Sequence, residues 1–172
     1  MIDPDKFTVR PTSPFDDVWL FKITGDPEAT RYMGFRTHQT IDDARQMLSD
    51  YETSPSTFLA VTLCDEPGQL LGVIGYEVKG HQATLSVKLN QHDRRVRGAT
   101  RLICKPFLRA LLMQPNIWRV WSFVHVDNIV SQRTTEKCGA KWESTARRFA
   151  MFPNLSDEPQ NCRIYAMTKE DL

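Results

Sequence analysis

Apolar and polar positions change period several times along the chain, and each change marks an element. Phe7-Thr8-Val9-Arg10 alternates as a half-buried strand does, and Pro11 with Ser13-Pro14 ends it. A helix follows, with Asp16 and Asp17 near its positive N-terminal end, Val18, Leu20 and Phe21 as its core-facing residues, and Gly25 as its stop. Asp26-Pro27 opens a short second helix. Thr40 with Asp43 forms a capping pair for a third, whose apolar face is Ala44, Met47 and Leu48 and whose end falls near Tyr51. Phe58 to Leu63 and Leu70 to Val78 are β-rich and flank the turn Glu66-Pro67-Gly68, which predicts a hairpin. After Gly80, Ala83, Leu85, Val87 and Leu89 alternate with polar residues and extend the hairpin to a meander.

The second half reads differently. Gln91 to Thr100 is polar and basic, then Leu102, Ile103, Phe107, Leu108, Leu111 and Leu112 recur near helical spacing, with Pro106 predicting a kink or restart. Trp118 to Val126 predicts a strand, Asn128 to Gly139 a capped helix, and Lys141 to Phe152 and Cys162 to Thr168 two final strands. The order implies a mixed α/β sheet, and a crevice where neighbouring strands part is the expected ligand site.

Composition narrows the function classes. A chain of 172 residues with 41% hydrophobic content closes one sizeable core, so one domain spanning residues 1–172 is expected. A net charge of +1 gives no long-range pull towards nucleic acid or an anionic membrane, so any phosphate site is local. The opening MIDPDKFTVRP has no apolar stretch of the signal-peptide kind, and no run approaches the roughly 20 apolar residues of a membrane span. A cytoplasmic protein is expected. Cys64, Cys104, Cys138 and Cys162 have no CxxC spacing, which favours reduced thiols and no metal site.

Two segments carry candidate chemistry. Asp93-Arg94-Arg95-Val96-Arg97-Gly98-Ala99-Thr100 stands between a strand and a helix, where unpaired first-turn amides and three guanidinium groups suit a pyrophosphate; a solvated loop is the plain alternative. Asn128 to Gly139 directly follows a strand. Capping by Asn128 and a left-handed Gly139 explain part of it, but not the joint presence of Ser131, Glu136 and Lys137 one helix and one strand after a basic turn.

At this point the chain resembles the GNAT acetyltransferases, in particular the group that includes RimJ and RimL. The resemblance runs over nearly the whole length, through Arg10-Pro11, Asp26-Pro27-Glu28, Thr30-Arg31-Tyr32-Met33-Gly34, Leu71-Gly72-Val73-Ile74-Gly75 and above all Asn128-x-x-Ser131-x-Arg133-x-x-Glu136-Lys137-x-Gly139. It implies a mixed, mostly antiparallel sheet flanked by helices with two central strands splayed apart, and acetyl-CoA as co-substrate. The turn Arg94, Arg95, Val96, Arg97, Gly98, Ala99 and Thr100 would cradle the pyrophosphate. Starting the family's Gln/Arg-x-x-Gly-x-Gly/Ala pattern at Arg95 places Gly98 correctly and ends on Thr100; starting at Arg94 puts Arg97 at the first small position and Ala99 at the second. Backbone groups near Leu89 would hold the thioester, Asn128 would order the pantetheine loop, and Ser131 would donate to the leaving thiolate.

Where many relatives carry a glutamate as general base, this chain has Thr84. His125 and Glu77 are candidate replacements, each with an ordinary packing or surface role as the alternative, and Tyr165 is a further donor or a core residue. The acceptor implied is a primary amine on a protein N-terminus or a small molecule; Asp157 and Glu158 in the loop Pro153 to Gln160 would suit a cation if that loop borders it. A monomer or homodimer without nucleic-acid or membrane partners is expected. Two rivals stay open: a non-catalytic acyl-CoA-binding protein of the same fold, motivated by Thr84 and the irregular basic turn, and an unrelated α/β domain using Arg94, Arg95, Arg97 and Arg101 as a nucleic-acid patch.

Overall fold

The computed structural model describes residues 6–90 and 99–172. β1 (Phe7–Pro11), β2 (Thr57–Leu63), β3 (Gly72–Lys79) and β4 (Gln82–Leu89) form an antiparallel meander, and Gly80, at φ +61°, takes the left-handed turn between the last two. β5 (Arg119–His125) joins β4 in parallel, which requires a crossover, and α4 (Ala99–Leu112) lies between them in sequence. β7 (Gln160–Thr168) then pairs antiparallel with β5, leaving β6 (Lys141–Ala150) at the edge of a seven-stranded sheet ordered β1-β2-β3-β4-β5-β7-β6.

Alternation along the strands divides the core in two. On one face Val61, Leu63, Ile74, Ala83, Leu85 and Val120 pack with Ile103, Leu108, Leu111 and Leu112 of α4. α5 (Ile129–Lys137) lies on this side too, because the fully buried Tyr165 donates its hydroxyl to Glu136 of α5 at 3.1 Å. On the other face Leu20 and Ile23 of α1 (Asp17–Thr24) and Ala44 and Leu48 of α3 (Ile41–Thr53) close over Ala60 and Val73. α2 (Pro27–Thr30) follows α1, capped by the Asp26 carboxylate on the Glu28 amide at 2.9 Å. Over β5, β6 and β7 this second face is met by the loops 31–40 and 151–159 rather than by a helix.

Three local expectations change. Val18 is 49% exposed: Leu20, Ile23 and Thr24 share the inward face of α1 at helical spacing, and a residue two before Leu20 lies on the far side. α3 runs past Tyr51 to Thr53, and stops where Ser54, extended at ψ 145°, precedes Pro55, which disfavours helix at the residue before it. α4 continues through the exposed Pro106 without restarting, forgoing only the bond to the Leu102 carbonyl.

Polar side chains fix the termini and loops. Arg10 binds Asp16 through two nitrogens, at 2.9 and 2.6 Å, and the same carboxylate, 1% exposed, accepts the Ser13 amide at 2.8 Å, so one buried ion pair ties β1 to the turn that starts α1. Asn154 stitches the two long loops together: its amide nitrogen donates to the carbonyls of Thr30 (2.8 Å) and Phe35 (2.9 Å), and its oxygen accepts the Thr37 amide (3.0 Å). Lys88 is treated less well. Its Nζ lies 5.8 and 5.7 Å from the rings of Tyr51 and Phe58, themselves stacked at 3.8 Å, and no carboxylate among the described residues pairs with it. Burial pushes its amine down to about 8.

Two outcomes follow from these contacts. Asp16→Ala leaves a partly buried guanidinium without its partner and should cost about 3 kcal/mol in urea unfolding; a loss below about 1 kcal/mol would remove the pair from the account. For Lys88 the unfolded chain keeps a proton between pH 8 and 10.5 that the folded chain sheds, so its contribution makes stability rise with pH across that window. Lys88→Met should therefore stabilise by about 1 kcal/mol or more at pH 7 and lose most of that advantage at pH 10.5. An equal difference at both pH values would contradict the assignment.

Candidate active site

β4 and β5 share only three residue pairs, Gln82↔Arg119, Ala83↔Val120 and Thr84↔Trp121, extended at the closed end by the Trp118 amide on the His81 carbonyl at 2.9 Å. Each strand is then committed to its other neighbour. β4 stays paired with β3 to its last residue, Leu89↔Gly72, and a Cβ on Gly72 would collide with Leu89 and the Lys88 carbonyl, so glycine is what lets β4 follow β3 this closely. β5 stays with β7 through His125↔Cys162, and the Val126 amide continues the contact to the Asn161 carbonyl at 3.2 Å. The edges of Leu85–Leu89 and Ser122–His125 consequently diverge and bound a cleft with main-chain groups on both walls.

The open end of the cleft is built by α5. Asn128 caps it, its side-chain oxygen accepting the Ser131 amide at 3.1 Å, and Gly139 ends it at φ +106°, both as the sequence predicts. Gln132, 3% exposed, points back into the strand and donates to the carbonyls of Val126 (2.7 Å) and His125 (3.1 Å), the second of which also accepts the Asn128 amide at 3.0 Å. Leu89, His125, Asn128 and Ser131 thus lie at the same end of the two diverging strands. Ala99 and Thr100 begin α4; Arg94, Arg95, Val96, Arg97 and Gly98 of the basic turn lie outside the described residues.

His125 is 5% exposed and clasped between the rings of Tyr32 (5.1 Å) and Phe152 (5.0 Å). Its Nδ1 accepts the Asp127 amide at 3.1 Å, which in a neutral imidazole leaves the proton on Nε2, and the exposed Asp127 carboxylate is 3.9 Å from the same Nδ1. Thr84 stands at the closed vertex of the cleft. Glu77 is its direct partner on β3, so the two share a face, and Glu77 is 3.0 Å from Lys79. Tyr165 is elsewhere: it faces α5, fully buried, with its hydroxyl engaged by Glu136 and burial pushing its phenol up. The carboxylates of the loop 151–159 are also occupied, Asp157 by Arg36 at 3.1 Å and Glu158 by Arg148 at 2.7 Å.

Several contributors had little or no signal in the sequence. Gln132 sits inside the Asn128 to Gly139 motif, yet its role depends on where β5 ends. Asn154 bonds residues more than a hundred positions away. Trp121, Phe123 and His125 do alternate on one face of β5, which marks them as neighbours, but only the tertiary contacts show that, among the described residues, loops meet this face at Tyr32 and Phe152.

A family model for the acetyltransferase (GNAT) domain matches residues 6–141. No curated protein matches the chain. Among solved structures, an acetyltransferase of the GNAT family from Bacillus anthracis has a TM-score of 0.81 at 19% identity over 98% of each chain. Spermidine N-acetyltransferase from Vibrio cholerae, in complex with CoA and spermine, has a TM-score of 0.77 at 13% identity, covering 96% of this chain and 97% of its own. RimL, the ribosomal L7/L12 alpha-N-protein acetyltransferase in complex with coenzyme A, has a TM-score of 0.77 at 10% identity, covering 97% and 96%. These likenesses agree on the fold, and the two whose acceptor is named differ in it. The splayed β4–β5 pair, the capped helix behind it and the match over residues 6–141 together establish that the chain belongs to the GNAT acetyltransferase family.

Proposed function

We propose that the protein is an N-acetyltransferase that moves the acetyl group of acetyl-CoA to a primary amine within a ternary complex. The observation that carries this reading is the cleft left where β4 and β5 stop pairing after Thr84 and Trp121. Its walls offer main-chain hydrogen bonds to an extended amide chain, and the N-terminal ends of α4 and α5 suit the negative charge of a pyrophosphate and of a leaving thiolate. The turn Arg94 to Thr100 would add charge-assisted bonds to the phosphates, Leu89 would hold the thioester end through its backbone, and Asn128 would keep the α5 loop in place.

Acetyl-CoA supplies an already activated thioester, so positioning an unprotonated amine does much of the work. As the amine nitrogen bonds to the acetyl carbon, the carbon–sulfur bond breaks and the amine gives up a proton. Ser131 donates its hydroxyl hydrogen bond to the sulfur. His125 takes the amine proton on Nε2 once Nδ1 carries the other proton, a tautomer that the Asp127 carboxylate favours by closing its 3.9 Å separation to a hydrogen bond. Asp127 is therefore a positioning residue. The acceptor is a small amine or a protein N-terminus, the second supported by the resemblance to the RimJ and RimL group. Thr84, in place of the glutamate of many relatives, favours a second reading in which the chain binds acyl-CoA without turning it over.

Acetyl transfer from acetyl-CoA to a mixed panel of amines and peptides separates these readings: turnover of at least one acceptor is expected, and tight CoA binding with no turnover on any would leave the second. In the active protein, Ser131→Ala should lower kcat by about tenfold to a hundredfold. His125→Ala should lower kcat/KM about a hundredfold. Asp127→Asn should lower kcat with the KM for acetyl-CoA unchanged, a split that a merely structural Asp127 would not give. An unchanged kcat/KM in His125→Ala would take His125 out of the mechanism.

A further inference from the structure

One half of the second sheet face is sealed by α1 and α3, while the half beside the cleft shows aromatic rings to solvent. Trp121 and Phe123 of β5 meet Phe149 of β6 edge to face, at 6.5 and 5.2 Å. Phe123 is 40% and Phe149 43% exposed, an unusual state for two neighbouring rings on a sheet, and Trp121 beside them is half-buried. Phe149 is aimed there by a break in the ladder. The pairing of β6 with β7 shifts between Ala146 and Ala150, and Arg148 takes φ +46° with its amide bound to the Asn161 side-chain oxygen at 2.9 Å, so the strand is bent beside Phe149. Towards the open end the rings continue through His125 with Tyr32 and Phe152.

Most charge around this wall is matched in pairs. Glu143 is held by Arg119 through two bonds, Asp157 by Arg36 and Glu158 by Arg148, and Glu77 is beside Lys79; the exposed Asp127, 3.9 Å from the His125 Nδ1, is a single carboxylate beside a neutral ring. The described residues around the wall therefore offer no row of unmatched carboxylates to take a second or third ammonium group. Nor does β5 offer a main-chain ladder, since it is bonded to β7 on one side and its other edge lines the cleft; the open edge on this side of the sheet is that of β6.

We propose that this wall is the acceptor's side-chain subsite and that the acceptor is a small arylalkylamine, a molecule with one amine a few bonds from an aromatic ring. The ring stacks against Phe149 and Phe123, and the amine points along β5 towards His125 and the open end of the cleft, where Leu89 and Ser131 lie. This rests on the acetyltransferase reading for its chemistry, and on the rings, their exposure and the paired carboxylates for its specificity. Aromatic pairing and burial of one ring distinguish such an amine from an alkylamine of similar length.

Isothermal titration tests it without needing turnover. Phenethylamine, butylamine, spermidine and a peptide beginning with Phe are titrated into the protein, with and without CoA, and acetyl transfer to each is assayed in parallel. Phenethylamine should bind about tenfold more tightly than butylamine or spermidine. Phe149→Ala, a surface change that should fold, should remove most of that difference, and Phe149→Leu, which keeps apolar volume without the ring, should fall between. Phenethylamine binding no tighter than butylamine, spermidine binding more tightly than either, or indifference to Phe149→Ala would overturn the subsite. The peptide binding more tightly than phenethylamine would overturn the small-molecule assignment. The expected order of binding with no acetyl transfer would support the subsite while overturning the catalytic reading.

Discussion

The structure depends on a conflict of pairing that the sheet resolves in favour of its flanks. β4 and β5 run parallel and could continue their register, with Ser86 facing Phe123 and Lys88 facing His125, but they part after Thr84 and Trp121. β4 is held to β3 through Leu89, where only a glycine at position 72 leaves room, and β5 is held to β7 through His125. A strand cannot follow two diverging neighbours, so the weaker, three-pair contact is the one given up. The freed edges are polar main chain, which must be satisfied by something other than sheet. Gln132 and the Asn128 amide meet that demand for two carbonyls at the end of β5, and among the described residues the edges of Leu85–Leu89 and Ser122–His125 do not pair with each other.

The two faces of the sheet are finished differently, and the difference places the acceptor side. α4 and α5 cover one face with an apolar core that ends in the buried Tyr165–Glu136 bond. On the other, α1 and α3 cover only the meander, and the strands beyond the cleft are bordered by loops that Asn154 binds to each other. A surface completed by stitched loops can differ between relatives without disturbing the sheet, which fits a family whose solved members share this architecture while their acceptors range from spermidine to a ribosomal protein.

Much of the fold was legible because its signals are local. Alternation fixed β1 to β4 within a residue or two, Asp26-Pro27 and the Thr40 to Asp43 spacing marked two helix starts, and Asn128 with Gly139 bounded α5. Val18 was misread because a helix phase two residues off places it outward; at Pro106 the helix does not restart, since a single missing bond does not break a helix packed on a core. In the site, the positions of Asn128, Ser131 and His125 followed from the motif and the strand before it. Tyr165 is the core residue that was one of its two readings, and its bond to Glu136 depends on where α5 packs. The roles of Gln132, Asn154 and Phe149 are set by contacts between distant segments and by the bulge at Arg148, so no short pattern carries them.

The central claim is that the cleft between β4 and β5 holds the pantetheine arm of an acyl-CoA. A crystal structure of the complex with CoA measures this directly. The account predicts the arm lying along the edge of Leu85–Leu89, its sulfur near Ser131 and its pyrophosphate at the start of α4; an arm bound on either sheet face, with the cleft closed or empty, would contradict it.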